Sequence, residues 1–199
     1  HCLTPRAAIV ASRKMIEEAW ASQHATVAPG DTERRAIVYA ARRRVSMRLL
    51  EPSCEAKLLQ VLRKLANAHN YDLVEFDGAA SNVEESIALY RRAEVVVGVH
   101  GGALSNILFS RPNSAERTLL VELGFSSPHT RHFEHAAAAI GASYERVLLE
   151  HDERGVGALN VSLSTGGVDR VENVVASWLR KRSDWHEAGT KSTVRVSVD

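Results

Sequence analysis

A valine-rich run, EVVVGV at residues 94–99, ends in His100, Gly101 and Gly102 and passes into Ala103, Leu104, Ser105 and Asn106. A histidine at the end of a buried strand can donate to a phosphate or work as an acid or base. Glycines beside it let the backbone approach a ligand closely, and free N–H groups at a helix start attract phosphate oxygens. The motif is neither the G-x-G-x-x-G dinucleotide fingerprint nor a Walker loop. A tight strand-to-helix turn that meets no ligand would use the same glycine pair.

Arginines follow an earlier apolar run. Arg42, Arg43 and Arg44 come one residue after AIVYA at residues 36–40, and Arg48 lies a little further on. Guanidinium forks suit diphosphate oxygens, so one or two of the four are expected at the ligand and the rest on a solvated face. Glu122 sits near the end of LLVEL at 119–123, where an acidic residue can accept from ribose hydroxyls or close a salt bridge. His129, His132 and His135 recur at every third position, but no cysteine or carboxylate completes a ligand set, so they read as surface residues. Asn160-Val161-Ser162 is a glycosylation sequon, a short motif that arises often by chance. No G-x-S-x-G nucleophile elbow occurs.

Apolar periodicity predicts the elements that must position these groups. An amphipathic helix over 5–20 is followed by a polar stretch, 24–35, carrying Pro29, Gly30 and Asp31 as a turn signal. Strands are predicted at 36–40, 71–76, 94–99, 118–123 and 144–149. Helices are predicted at 53–68, capped by Ser53, then after Ser81 or Asn82, over 100–109, 131–140 and 168–182. Strands alternating with helices of this length imply βαβ crossovers and a mostly parallel sheet. The expected organisation is an α/β, Rossmann-like domain over 34–183, an N-terminal helix and linker over 1–33, and a polar tail over 184–199. In such a sheet, ligands bind at the carboxyl ends of the strands. That places Arg42 to Arg44, Asp77 and Gly78, His100 to Gly102, and the residues from Glu122 on the candidate surface.

Composition narrows the function classes. The 199 residues are 45% hydrophobic and 25% charged, which is globular. No apolar run approaches the roughly 18 to 20 residues of a membrane span. Two cysteines, Cys2 and Cys54, exclude a disulfide scaffold and a four-thiolate zinc site, and leave open a bridge or two thiols. A formal charge of +1 gives no global field for a polyanion, and only Tyr39 could stack beside the arginines, so nucleic acid is not an expected partner. The chain begins with His1 and is expected to be a piece of a longer protein.

The stretch from Ala93 to Phe109, followed by Pro112 and by Leu120, Val121, Glu122 and Leu123, resembles the signature of glycosyltransferase family 61. That pattern is a valine-rich strand, H-G-A-G-L-T-N, a phenylalanine, a proline-containing loop and a strand with Glu. Here Gly102 and Ala103 exchange the Ala and Gly, and Ser105 replaces Thr. The stretch 37–42 is similar to the family's strand ending in Arg, and Arg48 with Glu51 resembles a second arginine before an Asn-Glu pair whose Asn is missing. Ser86 stands where Gln is usual, and Cys2 resembles a cysteine that often precedes the domain. The resemblance covers about residues 2–150.

It implies one half of a GT-B fold in an inverting transferase needing neither metal nor other cofactor. The donor would be a UDP-sugar of xylose, arabinose or N-acetylglucosamine, and the acceptor a glycan or protein hydroxyl. It also implies the lumen of the Golgi or endoplasmic reticulum, with a membrane anchor upstream. His100 is the implied catalytic residue. Arg42, Arg43, Arg48, Gly98, Gly101, Gly102, Ala103, Leu104, Asn106 and Glu122 are the implied donor-binding residues. The base that deprotonates the acceptor is expected from an N-terminal half or partner domain. The competing expectation is a nucleotide-binding or interaction module of the same fold that has lost the reaction.

Overall fold

A computed structural model of the chain describes residues 6–23, 34–43, 47–110, 118–126, 131–151 and 160–192, without the side chains of 151 and 183–192. Cys2, Pro29, Gly30, Asp31, Arg44, Pro112, His129 and the stretch 194–198 lie outside these residues.

Seven strands form one sheet: β1 (Ala36–Ala41), β2 (Leu49–Leu50), β3 (Asp72–Asp77), β4 (Ala93–Val99), β5 (Leu119–Gly124), β6 (Ser143–His151) and β7 (Asn160–Leu163). Their order across the sheet is β2-β7-β6-β5-β4-β1-β3. Every pairing is parallel except β6 with β7. Strands β1, β4 and β5 are buried along their whole length, as expected where helices cover both faces of a parallel sheet. The arrangement is the α/β, Rossmann-like one that the alternating pattern predicts.

Two strands escape the sequence pattern. β2 is only two residues long, and β7 joins antiparallel beside β6, so neither carries the helix-separated rhythm of a βαβ unit. Where the polar tail was expected from 184, α5 (Gly167–Ser192) continues the closing helix to 192.

Helices α2 (Pro52–His69) and α5 cover one face of the sheet. Leu58, Leu62, Leu65, Val171, Val175 and Leu179 pack there on Ile37, Val95, Val97 and Val121. The other face carries α1 (Arg6–Gln23), α3 (Val83–Arg92), the 3-10 helix Gly102–Phe109 and α4 (His132–Ile140). Ile9, Tyr90, Leu104, Ile107, Phe133 and Ala137 pack there on Val38, Ala40, Val96 and Leu120. α1 is tied down by Arg13, whose guanidinium donates to the carbonyls of Ser110 at 2.9 Å and Ile140 at 3.2 Å.

The local stops and starts are chemical. α2 begins at Pro52, with Glu51 rather than Ser53 at its N-cap, because proline suits the first helical position. α3 opens on a capping box in which Asn82 accepts from the Glu85 amide and Glu85 accepts in return. Gly141 ends α4 in the left-handed region, at φ 79°.

After β1 the chain passes through the short β2, at the far end of the strand order, returns to pair β3 with β1, and then places β4 on the other side of β1. That reversal is a topological switch point, and in sheets of this kind the ligand crevice lies beyond the carboxyl ends of the two strands that flank it, here β1 and β4.

Candidate functional site at the carboxyl edge of the sheet

Strand residues alternate between faces, so position decides which side chains can meet. Val38 and Ala40 face the α1, α3 and α4 side, and Arg42 follows them in phase. Val96 and Gly98 lead to His100 on that side, as Leu120 leads to Glu122 and Gly124. The register pairs Gly98 with Glu122 and Glu122 with Arg146, and Tyr144 lies two residues before Arg146 on the same face. One face of the sheet edge thus gathers Arg42, His100, Glu122, Tyr144 and Arg146.

His100 is buried, with its amide donating to the Leu123 carbonyl at 2.9 Å. Its Nδ1 is hydrogen-bonded to Glu122 Oε1. The second carboxylate oxygen accepts from the Tyr144 hydroxyl and from Arg146 Nη2 at 3.3 Å. Arg146 Nε also donates to the Tyr144 oxygen at 2.8 Å. Burial acts to raise the Glu122 pKa, but hydrogen bonds from His100 and Tyr144, with the charge of Arg146, hold it below the usual carboxylate value. Burial and the neighbouring carboxylate push the Tyr144 hydroxyl up, so it stays a donor. Gly124 leaves room for this arrangement, since a Cβ there would lie 3.1 Å from the Glu122 carboxyl.

The expectation that Glu122 holds a ribose is therefore corrected. Its side chain has 0% exposure and both oxygens are engaged by protein groups, so no ligand reaches it. It holds His100 instead.

The glycines divide by role. Gly101 is where Arg42 crosses the turn, and Arg42 Nη1 donates to the His100 carbonyl at 3.4 Å. Gly102 is exposed, with nothing within 4 Å of where a Cβ would stand, so its backbone is open to a ligand. Gly98 is a packing residue: a Cβ would come within 2.8 Å of the Ala40 Cβ and 3.0 Å of Leu104 Cδ2. Leu104 is wholly buried and anchors the 3-10 helix, so its side chain meets no donor. Ala103 accepts from the Tyr90 hydroxyl at 3.0 Å, and Asn106 also hydrogen-bonds Tyr90, which ties both to α3. Ser86, in the position usually held by Gln, is buried and donates to Asn82 of its own helix at 2.7 Å.

Arg48 stands in the left-handed region at φ 58°, and its Nε is buried with no hydrogen-bond partner among the described residues. Its charge bears on both Arg42 and His132 and lowers the pKa of each. Arg43 lies on the opposite face. It donates to Glu55 at 2.9 Å and Glu75 at 2.6 Å beside Tyr39, away from His100, so its assignment to the donor site is corrected as well.

Three site residues went unforeseen in the sequence: Tyr144, Arg146 and His132. The alternation of β6 puts the first two on one face, but only the register of β6 against β5 sets them beside Glu122. His132 opens α4 and is exposed, as a surface histidine should be, yet its ring centroid lies 4.7 Å from that of His100. Burial lowers its pKa, and the proximity of His100, Arg146 and Arg48 adds to this against the opposing pull of Glu122. Phe133 and Phe125 wall the His100 ring at 5.1 and 6.5 Å. Among the described residues, no three His, Cys, Asp or Glu side chains gather as a metal site, and no helix is long and apolar enough to cross a membrane.

Fold and site together define a Rossmann-like α/β domain with a cationic crevice at its switch point. The sequence pattern described as Glycosyltransferase 61 matches residues 3–116, more than half of the chain, and the chain belongs to that family. The matched stretch contains Arg42, Arg48 and His100 to Asn106 and stops before Glu122. No curated protein matches the chain. Solved structures similar to it include a short-chain flavodoxin associated with a non-canonical PDU bacterial microcompartment. That likeness has 12% identity and a TM-score of 0.39 over 74% of this chain and 97% of that one. Another is the sugar isomerase domain of an RpiR transcription factor from Sphaerobacter thermophilus, at 17% identity and a TM-score of 0.39 over 89% and 85%. Neither likeness bears on function. Family membership makes this a glycosyltransferase chain, with a nucleotide-sugar donor and a glycan acceptor as the family's reactants.

Proposed function

We propose that the crevice binds the diphosphate of a UDP-sugar and that the chain is the donor-binding part of an inverting glycosyltransferase of GT-B type. One observation carries this reading. Arg42, Arg48, His100 and the open backbone at Gly102 converge at the switch point, on one face of the sheet edge.

In such a transfer the acceptor oxygen bonds to the anomeric carbon from the side opposite the diphosphate. The sugar–phosphate bond breaks with its electron pair going to UDP. Negative charge grows on the departing phosphate, and fixed cations and N–H groups aimed there stabilise it. Arg42 and Arg48 supply charge that a metal would otherwise supply, so donor binding proceeds without a divalent cation. With Nδ1 on Glu122, His100 offers Nε2 to a phosphate oxygen. The acceptor proton leaves to a base on a facing N-terminal half or partner domain. The sugar is of the xylose, arabinose or N-acetylglucosamine class, the acceptor a glycan or glycoprotein hydroxyl. The setting is the lumen of the Golgi or endoplasmic reticulum, reached by an anchor upstream of this domain.

Titration calorimetry of the 199-residue chain with UDP, UDP-xylose, UDP-arabinose and UDP-N-acetylglucosamine, each with and without EDTA, tests the reading. Micromolar to millimolar binding indifferent to EDTA and differing among the sugars is expected. A folded chain that binds none of them would sink it. Binding with no transfer, even when a facing acceptor domain is supplied, would favour a nucleotide-binding module that has lost the reaction.

A further inference from the structure

We propose that Tyr144 and Arg146 are positioning residues of the diphosphate site, acting through Glu122 to fix the His100 ring with its Nδ1 proton on the carboxylate and Nε2 left for the ligand. The inference rests on the donor-site reading and extends it to two residues beyond the stretch that matches the family.

The geometry leaves His100 one way to be held. An ionised carboxylate only accepts, so the nitrogen bonded to it must carry a proton, and a histidine's second ring nitrogen takes its role from that partner. Glu122 can play this part only while ionised and aimed at Nδ1. It is fully buried, and a lone buried carboxylate would tend to take up a proton and turn from acceptor to donor. Tyr144 and Arg146 prevent this by occupying Oε2, which directs Oε1 to His100. Arg146 is itself fixed at three points: the Tyr144 oxygen at 2.8 Å, Glu122 at 3.3 Å and the Phe125 carbonyl at 3.4 Å. The backbone of His100 is tied to β5, and Phe125 and Phe133 flank its ring, so the imidazole has little freedom to turn over.

Binding an anion at Nε2 follows from the same arrangement. To donate to a phosphate, Nε2 must be protonated while Nδ1 keeps its proton, so His100 binds the ligand as imidazolium. The groups that bear on this change are Glu122 from β5, Tyr144 and Arg146 from β6, His132 from α4, and Arg42 and Arg48 beyond β1. Of these only Glu122 is an anion against the ring, and it is the member that Tyr144 and Arg146 keep ionised.

The test is 15N-edited NMR of the histidine side chains, with UDP titration, on the 199-residue chain and on Tyr144→Phe, Arg146→Lys and Arg146→Gln. In the wild type, free His100 is expected as the Nδ1–H form, gaining a proton at Nε2 when UDP binds. Tyr144→Phe and Arg146→Gln should give a mixed tautomer and UDP binding weaker by about tenfold, the scale of one charge-assisted hydrogen bond lost. Arg146→Lys keeps the charge without the fork and should fall between them and the wild type. Amide dispersion confirms that each variant folds, and Tyr144→Phe carries the test alone should the arginine variants fail to fold. Unchanged His100 nitrogen shifts and unchanged UDP affinity in folded variants would overturn the inference while leaving the donor site standing. A wild-type chain that ignores UDP would overturn both.

Discussion

The guanidinium of Arg42 passes so close over Gly101 that a Cβ on that glycine would stand 1.8 Å from Nη1. The backbone there is extended, at φ 171°, a conformation open to any residue. Glycine is required for the space it leaves. Arg42 fills that space and reaches the His100 carbonyl, joining the ends of β1 and β4 across the switch point.

Gly101→Ala and Gly102→Ala should therefore separate binding from folding. The clashing atom at Gly101 is the tip of a flexible side chain, so Arg42 can swing aside and stability should change by less than about 1 kcal/mol. The cation then leaves the crevice, and UDP affinity should fall about tenfold. Gly102→Ala meets no protein atom and should be as stable as the wild type, but its methyl stands on the backbone left open to the diphosphate, so UDP binding should weaken there too. Calorimetry with UDP and urea unfolding on both variants checks this. A Gly101→Ala chain that binds UDP as tightly as the wild type would show that Arg42 is not a donor contact.

Adjacent arginines should behave as opposites. Arg42→Ala removes a crevice cation and should weaken UDP binding about tenfold. Arg43→Ala removes exposed ion pairs to Glu55 and Glu75, and should cost no more than about 1 kcal/mol of stability while leaving UDP affinity within about twofold. A tenfold loss of UDP binding in Arg43→Ala would return that residue to the site.

The division between these arginines was legible in the alternation of β1, because Arg43 shares the parity of Ile37 and Tyr39 while Arg42 shares that of Val38 and Ala40. The parallel core was legible too, because β4 and β5 carry the apolar runs at residues 95–99 and 119–121 and α2 and α5 carry regular stripes. The partners of Glu122 were not. They depend on the register of β6 against β5, which pairs Glu122 with Arg146, and no residue of either strand announces that register alone. β2 and β7 were hidden for a related reason: they are short and held by tertiary pairing. His132 looked like any exposed histidine until the start of α4 set it against His100.

His132 should report occupancy of the crevice. Burial and the neighbouring positive groups hold its pKa below the ordinary 6.5, so it is neutral at pH 7 and gains its proton only on acidification. A diphosphate near Arg48 and His100 would oppose those charges and favour the imidazolium, raising the His132 pKa. NMR titration of its ring protons with and without saturating UDP measures the change. A pKa unmoved by bound UDP would put the phosphates elsewhere.

Acid should undo the Glu122 cluster in a defined direction. The folded-state pKa of Glu122 lies below the ordinary 4.5, so the unfolded chain takes up this proton first as pH falls. The stability it contributes is complete above about pH 4.5 and drains away as pH drops toward the folded value. At neutral pH, Glu122→Gln should be less stable than the wild type by about 3–5 kcal/mol, the scale of breaking a buried ion pair, because Arg146 loses its charge partner and an amide replaces the carboxylate acceptor. That gap should narrow steadily below pH 4.5 as the wild-type carboxylate comes under threat of protonation. Other acidic groups with lowered pKa values, such as Glu134 beside Arg131, titrate in both proteins and cancel in the difference. Urea unfolding of the pair at pH 7, 5, 4 and 3 gives the difference directly. A gap of the same size at every pH would mean that the ionised carboxylate is not what holds His100, and that packing alone accounts for the loss.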